Sequence, residues 1–180
     1  MKDFIKITEE NFDDFVEGDR QEWLSERVYT FLMGNICGAE CNLQESLIGC
    51  ESPIEQLLAL ELEDLKLENI CKFNPYIDVL GIEKQEEIET KHKKYRVDFL
   101  IPVYYKNQGG INFVIECDGH DFHQKTKKQV EADNERQRDL QEEGFEVIRF
   151  SGTEIYHKPY QCALTIKNII LSKCKYIKDE

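Results

Sequence analysis

Residues 113–123 read F-V-I-E-C-D-G-H-D-F-H. The first half is the signature of an interior strand, with apolar residues on both faces before Asp118. The second half crowds Glu116, Asp118, His120, Asp121 and His123 into eight positions. Apolar cores exclude unpaired charges, so such a strand either runs out into solvent or delivers its acids to a site.

Outward from this stretch, strand-type runs cover Tyr76–Ile82, Gln85–Lys91 and Tyr95–Tyr105. Asn107-Gln108-Gly109-Gly110 reads as the hairpin turn joining the last of these to Ile111–Cys117. The polar segment from Gln124 to Glu143 predicts a helix stopped by Gly144, followed by the strand F-E-V-I-R-F. Pro159 to Tyr176 predicts a last helix carrying Ala163, Ile166, Ile169 and Ile170. Upstream, Ser52 is an N-cap, Pro53 a favoured first helical residue and Glu55 the acid that completes a capping box. Ile54, Leu57, Leu58, Leu62 and Leu65 then form one apolar face. The order helix, about three strands, helix, strand, helix predicts an α/β fold with a mixed sheet flanked by helices. Ahead of it, acidic and apolar residues alternate over residues 8–33 and predict one or two amphipathic helices. The expected organisation is an acidic helical extension over 1–50 and an α/β domain over 51–180.

Composition sets further bounds. With 41% hydrophobic and 11% aromatic residues, the 180-residue chain can build a core. No apolar run reaches the ~20 residues of a membrane span, so a cytoplasmic protein without a membrane partner is expected. Seven dispersed cysteines suit reduced thiols better than a disulfide framework. Cys37, Cys41 and Cys50 form only a weak zinc pattern. The net charge of −13 is uneven: residues 1–70 hold 5 Lys and Arg against 17 Asp and Glu, and the remainder 18 against 19. Such acidity argues against a simple polyanion carrier, although a cation can bridge an acidic enzyme to phosphate. The acidic segment is either a solvated surface or a place for a protein partner.

Glu116 and Asp118 are two apart on one strand, so their carboxylates leave the same face and can converge on one hard cation. Asp98, inside R-V-D-F-L-I-P-V, faces the same point if its strand pairs through the hairpin. Three acids this close repel unless something neutralises them. A single acid at a strand end is more often plain solvated surface, but two strands ending this way, followed by two histidines, weigh against that. On the next helix Val130, Asp133, Arg136 and Leu140 share a stripe, which places Asp133 and Arg136 beside the sheet. The bland reading is an i, i+3 ion pair; the other is that they hold His123 or a phosphate. His123 suits proton transfer, and Lys125, Lys127 and Lys128 are either plain solvated surface or placed to meet a phosphate backbone. Asp118, His120 and His123 could instead hold zinc, but the carboxylate majority favours magnesium or manganese.

Together D-F-L-I, F-V-I-E-C-D-G-H-D-F-H and D-N-E-R-Q-R-D-L-Q-E-E-G-F-E-V-I-R-F resemble the restriction-endonuclease-like PD-(D/E)xK superfamily. Within it they resemble the very-short-patch-repair endonuclease branch and its uncharacterised relatives, with Ser52-Pro53-Ile54-Glu55 similar to that branch's opening helix. The resemblance covers residues 51–156. It implies a restriction-endonuclease-like core in α-β-β-β-α-β order and Mg2+-assisted phosphodiester hydrolysis on DNA, with Mn2+ as a substitute. Asp98 matches the central metal-binding aspartate and Glu116 the second acid, with the Cys117 carbonyl beside the metal. His123 matches the catalytic histidine, Asp133 and Arg136 the polar pair of the next helix, and Glu55 a glutamate that approaches the site. Asp118 departs from the pattern by standing where the superfamily has lysine. Water activation then passes to His123, aided by Lys125, or the chain is an inactive nuclease-fold module that binds nucleic acid or a protein.

Overall fold

A computed structural model describes residues 6–11, 47–65, 67–105, 109–119 and 126–174. The helices expected over residues 8–33 lie outside these residues, apart from a turn at 9–11, as do Asn107, Gln108 and the whole of 120–125.

Helix α1 is Pro53–Asp64. It starts where the sequence says: the Ser52 hydroxyl accepts the Glu55 N–H at 3.3 Å, and Pro53 opens the first turn. A short 3-10 helix, Leu67–Lys72, leads into β1 (Ile77–Val79), β2 (Glu83–Glu89), β3 (Lys94–Tyr105) and β4 (Gly110–Asp118). Helix α2 (Lys127–Glu142) crosses over to β5 (Glu146–Ser151), and α3 (Gly152–His157) and α4 (Pro159–Lys173) follow.

Long β3 is the spine of a mixed sheet in the order β1-β3-β4-β5, with β2 sharing the β1 side of β3. β1, β2 and β4 run antiparallel to β3, while β4 and β5 are parallel. The parallel pair requires a crossover, and α2 supplies it. The hairpin is confirmed by the pairing of Tyr104 with Gly110. A Cβ on Gly110 would meet the Val103 carbonyl at 2.4 Å, so only glycine fits there.

The sheet is covered on both faces. On one, Phe99, Ile101, Val103, Phe113 and Ile115 pack with Leu57 and Leu58 of α1 and Ala163, Ile166 and Ile170 of α4. On the other, Val97, Leu100 and Val114 pack with Leu140 of α2. Val130, expected to face the sheet with Leu140, is instead 45% exposed. It lies in the first turn of α2, before the helix settles on the sheet. The start of α2 is fixed by a reciprocal capping box between Thr126 and Gln129. Its end is fixed by Gly144 at φ +87°, with Phe145 N–H donating to the Leu140 carbonyl at 3.1 Å. Among the described residues no helix is long and apolar enough to cross a membrane.

Candidate active site

β3 and β4 pair from Tyr104–Gly110 as far as Phe99–Ile115 and no further. Beyond that point β3 continues toward Lys94 against β2 alone, while β4 continues to Asp118 against β5 alone. The two central strands therefore part, and the next residues on either side are Asp98 and Glu116. Parting leaves backbone groups of β4 without ladder partners, and a buried N–H must find one. The Asp98 carboxylate supplies it, accepting the Cys117 N–H at 2.6 Å.

Side-chain alternation also changes phase here. Tyr95 and Val97 pack on the α2 face, whereas Phe99 and Ile101 pack on the α1 and α4 face. Asp98 sits at the changeover, within electrostatic reach of Glu55, Arg136 and Asp118. Burial, opposed by the Cys117 bond and reinforced by Glu55, pushes its pKa up to about 6. Burial likewise lifts Glu116 to about 7, with Arg136 opposing and Asp98 adding to the rise. Two acids that resist ionisation side by side are what a site for a cation or a proton looks like electrostatically.

Two arginines answer the charge of the β4 acids. Arg136 of α2 donates to Glu116 Oε1 at 2.6 Å, and the same nitrogen reaches the Arg96 carbonyl on β3. Its guanidinium also lies 5.5 Å from the centre of the Tyr95 ring, and its Nε is buried with no hydrogen-bond partner among the described residues. Arg149 of β5 grips Asp118 with two bonds, Nη2 to Oδ1 at 2.6 Å and Nε to Oδ2 at 3.0 Å. It stands beside Glu116 in the parallel register and 3.9 Å from Asp133.

The third wall comes from α1. Glu55 is 5% exposed and accepts three bonds, from Glu51 N–H at 2.8 Å, Ser52 Oγ at 2.6 Å and Gln85 Nε2 at 2.7 Å. It is thus more than a helix cap, because one of its donors comes from β2.

The structure thus brings Glu55, Asp98, Glu116, Asp118, Asp133 and Arg136 to one end of the sheet. Asp133 and Arg136 do not form the i, i+3 pair: Arg136 turns to Glu116, and Asp133 lies toward Arg149. His123, Lys125 and the His120 of the zinc alternative lie outside the described residues. No group of three or more His, Cys, Asp or Glu able to hold a metal occurs among the described residues. Arg149, Gln85 and Tyr95 were missed. Arg149 carried a signal, a lone cation inside the apolar strand F-E-V-I-R-F; Gln85 carried none. Cys117, Cys162 and Cys174 take part in no disulfide among the described residues, and burial pushes Cys50 up to about 12 and Cys117 well above its ordinary value. These are inert packing thiols rather than nucleophiles.

The arrangement (a mixed sheet, acids where its central strands part, and a basic residue on the crossover helix) agrees with a comparison against protein families. The family model REase_MTES_1575, a restriction-endonuclease-like family, matches residues 76–170, which is more than half of the chain and runs from β1 into α4. No curated protein and no solved structure matches the chain. The family points to a nuclease-type function, and it is here that the sequence resemblance to the PD-(D/E)xK superfamily finds its support: the chain belongs to the restriction-endonuclease-like family REase_MTES_1575.

Proposed function

We propose that the protein is a metal-dependent DNA endonuclease, related in design to the very-short-patch-repair branch. The observation that carries this reading is the placement of Asp98 and Glu116 on either side of the parting of β3 and β4, both carboxyl pKa values raised by burial. Hard carboxylate oxygens that resist bearing bare charge fit Mg2+ or Mn2+. Asp98 and Glu116 would hold the cation, aided by the Cys117 carbonyl and by Asp118 once released from Arg149. Bound there, the ion would polarise the scissile phosphate and stabilise the charge that develops on it. The chain's own groups do the rest. Arg136 and Arg149 hold positive charge at the site, Glu55 closes the α1 side, and His123, assisted by Lys125, takes the proton from the attacking water.

A second reading, an inactive nuclease-fold module binding nucleic acid or a protein, draws on a specific observation. Asp118 replaces the lysine, and Arg136 and Arg149 already neutralise two of the three acids. The acidic segment 1–50 offers such a module a basic protein partner.

One experiment separates them: incubation of the purified protein with supercoiled, linear and single-stranded DNA in MgCl2, MnCl2 or chelator. Metal-stimulated nicking that vanishes in Asp98→Asn and His123→Ala supports the enzyme. Absence of cleavage on all substrates, with no Mn2+ heat signal in calorimetry, supports the inactive module.

A further inference from the structure

Among the described residues Gln85 is the only non-glycine residue with a positive φ, +54°. It lies in β2, where its neighbours keep regular pairing, Lys84 with Phe99 and Glu86 with Val97. One residue is thus rotated into the left-handed region inside an otherwise continuous ladder, directly across from Asp98. Left-handed backbone is disfavoured for a glutamine, and such residues persist where the surroundings over-determine them. Here the rotated residue sends its side chain to α1, where Nε2 donates to Glu55 Oε2 at 2.7 Å.

The other two donors to Glu55 belong to the residues just before α1 and would hold it as a helix cap in any case. Among the described residues only Gln85 ties that carboxylate to the sheet. The same Glu55 lies close enough to raise the Asp98 carboxyl. The phase change of β3 at Asp98 and the left-handed residue of β2 lie opposite each other, so both distortions serve one point.

We infer that Gln85 is a positioning residue, which holds the Glu55 carboxylate against the Asp98 end of the site. This rests on the endonuclease reading and adds to it a residue outside the acidic motif. A purely architectural role, fastening α1 to β2, is the competing explanation, and the two differ in what they disturb.

Gln85→Gly is the informative variant, because glycine takes φ +54° freely and removes the side chain that reaches Glu55 without straining the backbone. Wild type, Gln85→Gly, Glu55→Gln and the double variant are compared by thermal unfolding, by Mn2+ calorimetry and by cleavage kinetics on supercoiled plasmid. The expected result for Gln85→Gly is a melting temperature within a few degrees of wild type, Mn2+ affinity reduced about fivefold or more, and kcat reduced about tenfold with KM for DNA unchanged. Because Gln85 acts through Glu55, the double variant should be no worse than Glu55→Gln alone. Wild-type affinity and kcat in Gln85→Gly overturn the inference, as do losses that multiply in the double variant or a large fall in melting temperature with unchanged Mn2+ affinity. If wild type itself neither binds Mn2+ nor cleaves, the endonuclease reading fails and the inference falls with it. If wild type does both and Gln85→Gly equals it, the inference alone falls.

Discussion

Arg136 of α2 holds Glu116 of β4 at 2.6 Å with the nitrogen that also meets the Arg96 carbonyl of β3, so one guanidinium spans the gap between two diverging strands. Its removal strands a buried acid and a backbone acceptor together. Arg136→Met is expected to cost about 2–4 kcal/mol in urea unfolding at pH 8, where Glu116 must otherwise stay charged. Adding Glu116→Gln should recover at least half of that loss, since no buried charge then lacks a partner. Equal losses in the single and double variants would show that the arginine acts only by packing.

Asp118 and Arg149 share two hydrogen bonds in a half-buried setting, which is the geometry in which an ion pair does contribute. A double-mutant cycle with Asp118→Asn and Arg149→Met should return a coupling of about 1.5–3 kcal/mol. A coupling below about 0.5 kcal/mol would place the pair with ordinary surface bridges. Asp118→Lys, which introduces the residue that the sequence resemblance implies for this position, sets a second cation against Arg149 and should lower stability without raising cleavage.

The pH dependence follows from burial. Asp98 at about 6 and Glu116 at about 7 stand above their ordinary values of 3.8 and 4.5. A carboxyl with a raised folded pKa binds its proton more tightly in the fold than out of it. The resulting stability is fully present below the unfolded pKa and is lost as pH rises through the folded one, here over roughly pH 4 to 7. In chelator, wild-type melting temperature should therefore fall across this window more than that of Glu116→Gln. Parallel curves for the two proteins would rule out Glu116 as the titrating group.

Gln56 of α1 fastens residues 7 and 47, both buried in the main core. Its Oε1 accepts the Ile7 N–H at 3.0 Å, and its Nε2 donates to the carbonyls of Ile7 at 2.7 Å and Leu47 at 2.9 Å. Gln56→Leu leaves three buried backbone groups without that partner and should cost about 2–4 kcal/mol. Limited proteolysis should then cut the segment before residue 47 sooner than in wild type; unchanged cutting would mean that other contacts hold it.

Much of the fold was legible because single residues announced it: Ser52-Pro53 at the start of α1, the double glycine of the hairpin, Gly144 at the end of α2. The acids Asp98 and Glu116 were legible for the same reason, being lone charges in apolar runs. Two short helices escaped. The 3-10 helix Leu67–Lys72 is too short to show a period, whereas α3 did carry a capping-box signal in Ser151 and Glu154. What could not be read was which charges would meet. The sequence leaves open whether Arg136 pairs with Asp133 on its own helix or joins it in holding His123 or a phosphate. Across space it meets Glu116 instead, because the parting of β3 and β4 opens a gap that only a long side chain from α2 can bridge. The left-handed Gln85 was illegible for a deeper reason: nothing about glutamine encodes that conformation, and only the fold around it imposes it.

The family match begins at residue 76, after α1 has ended. Asp98, Glu116, Arg136 and Arg149 all lie inside the matched residues, whereas the helix bearing Glu55 lies before them. Position 85 lies inside the matched residues but bonds to the helix outside them. Across relatives it should change in step with that helix, keeping an amide where the glutamate is present and reverting to an ordinary strand residue where another helix has been fitted.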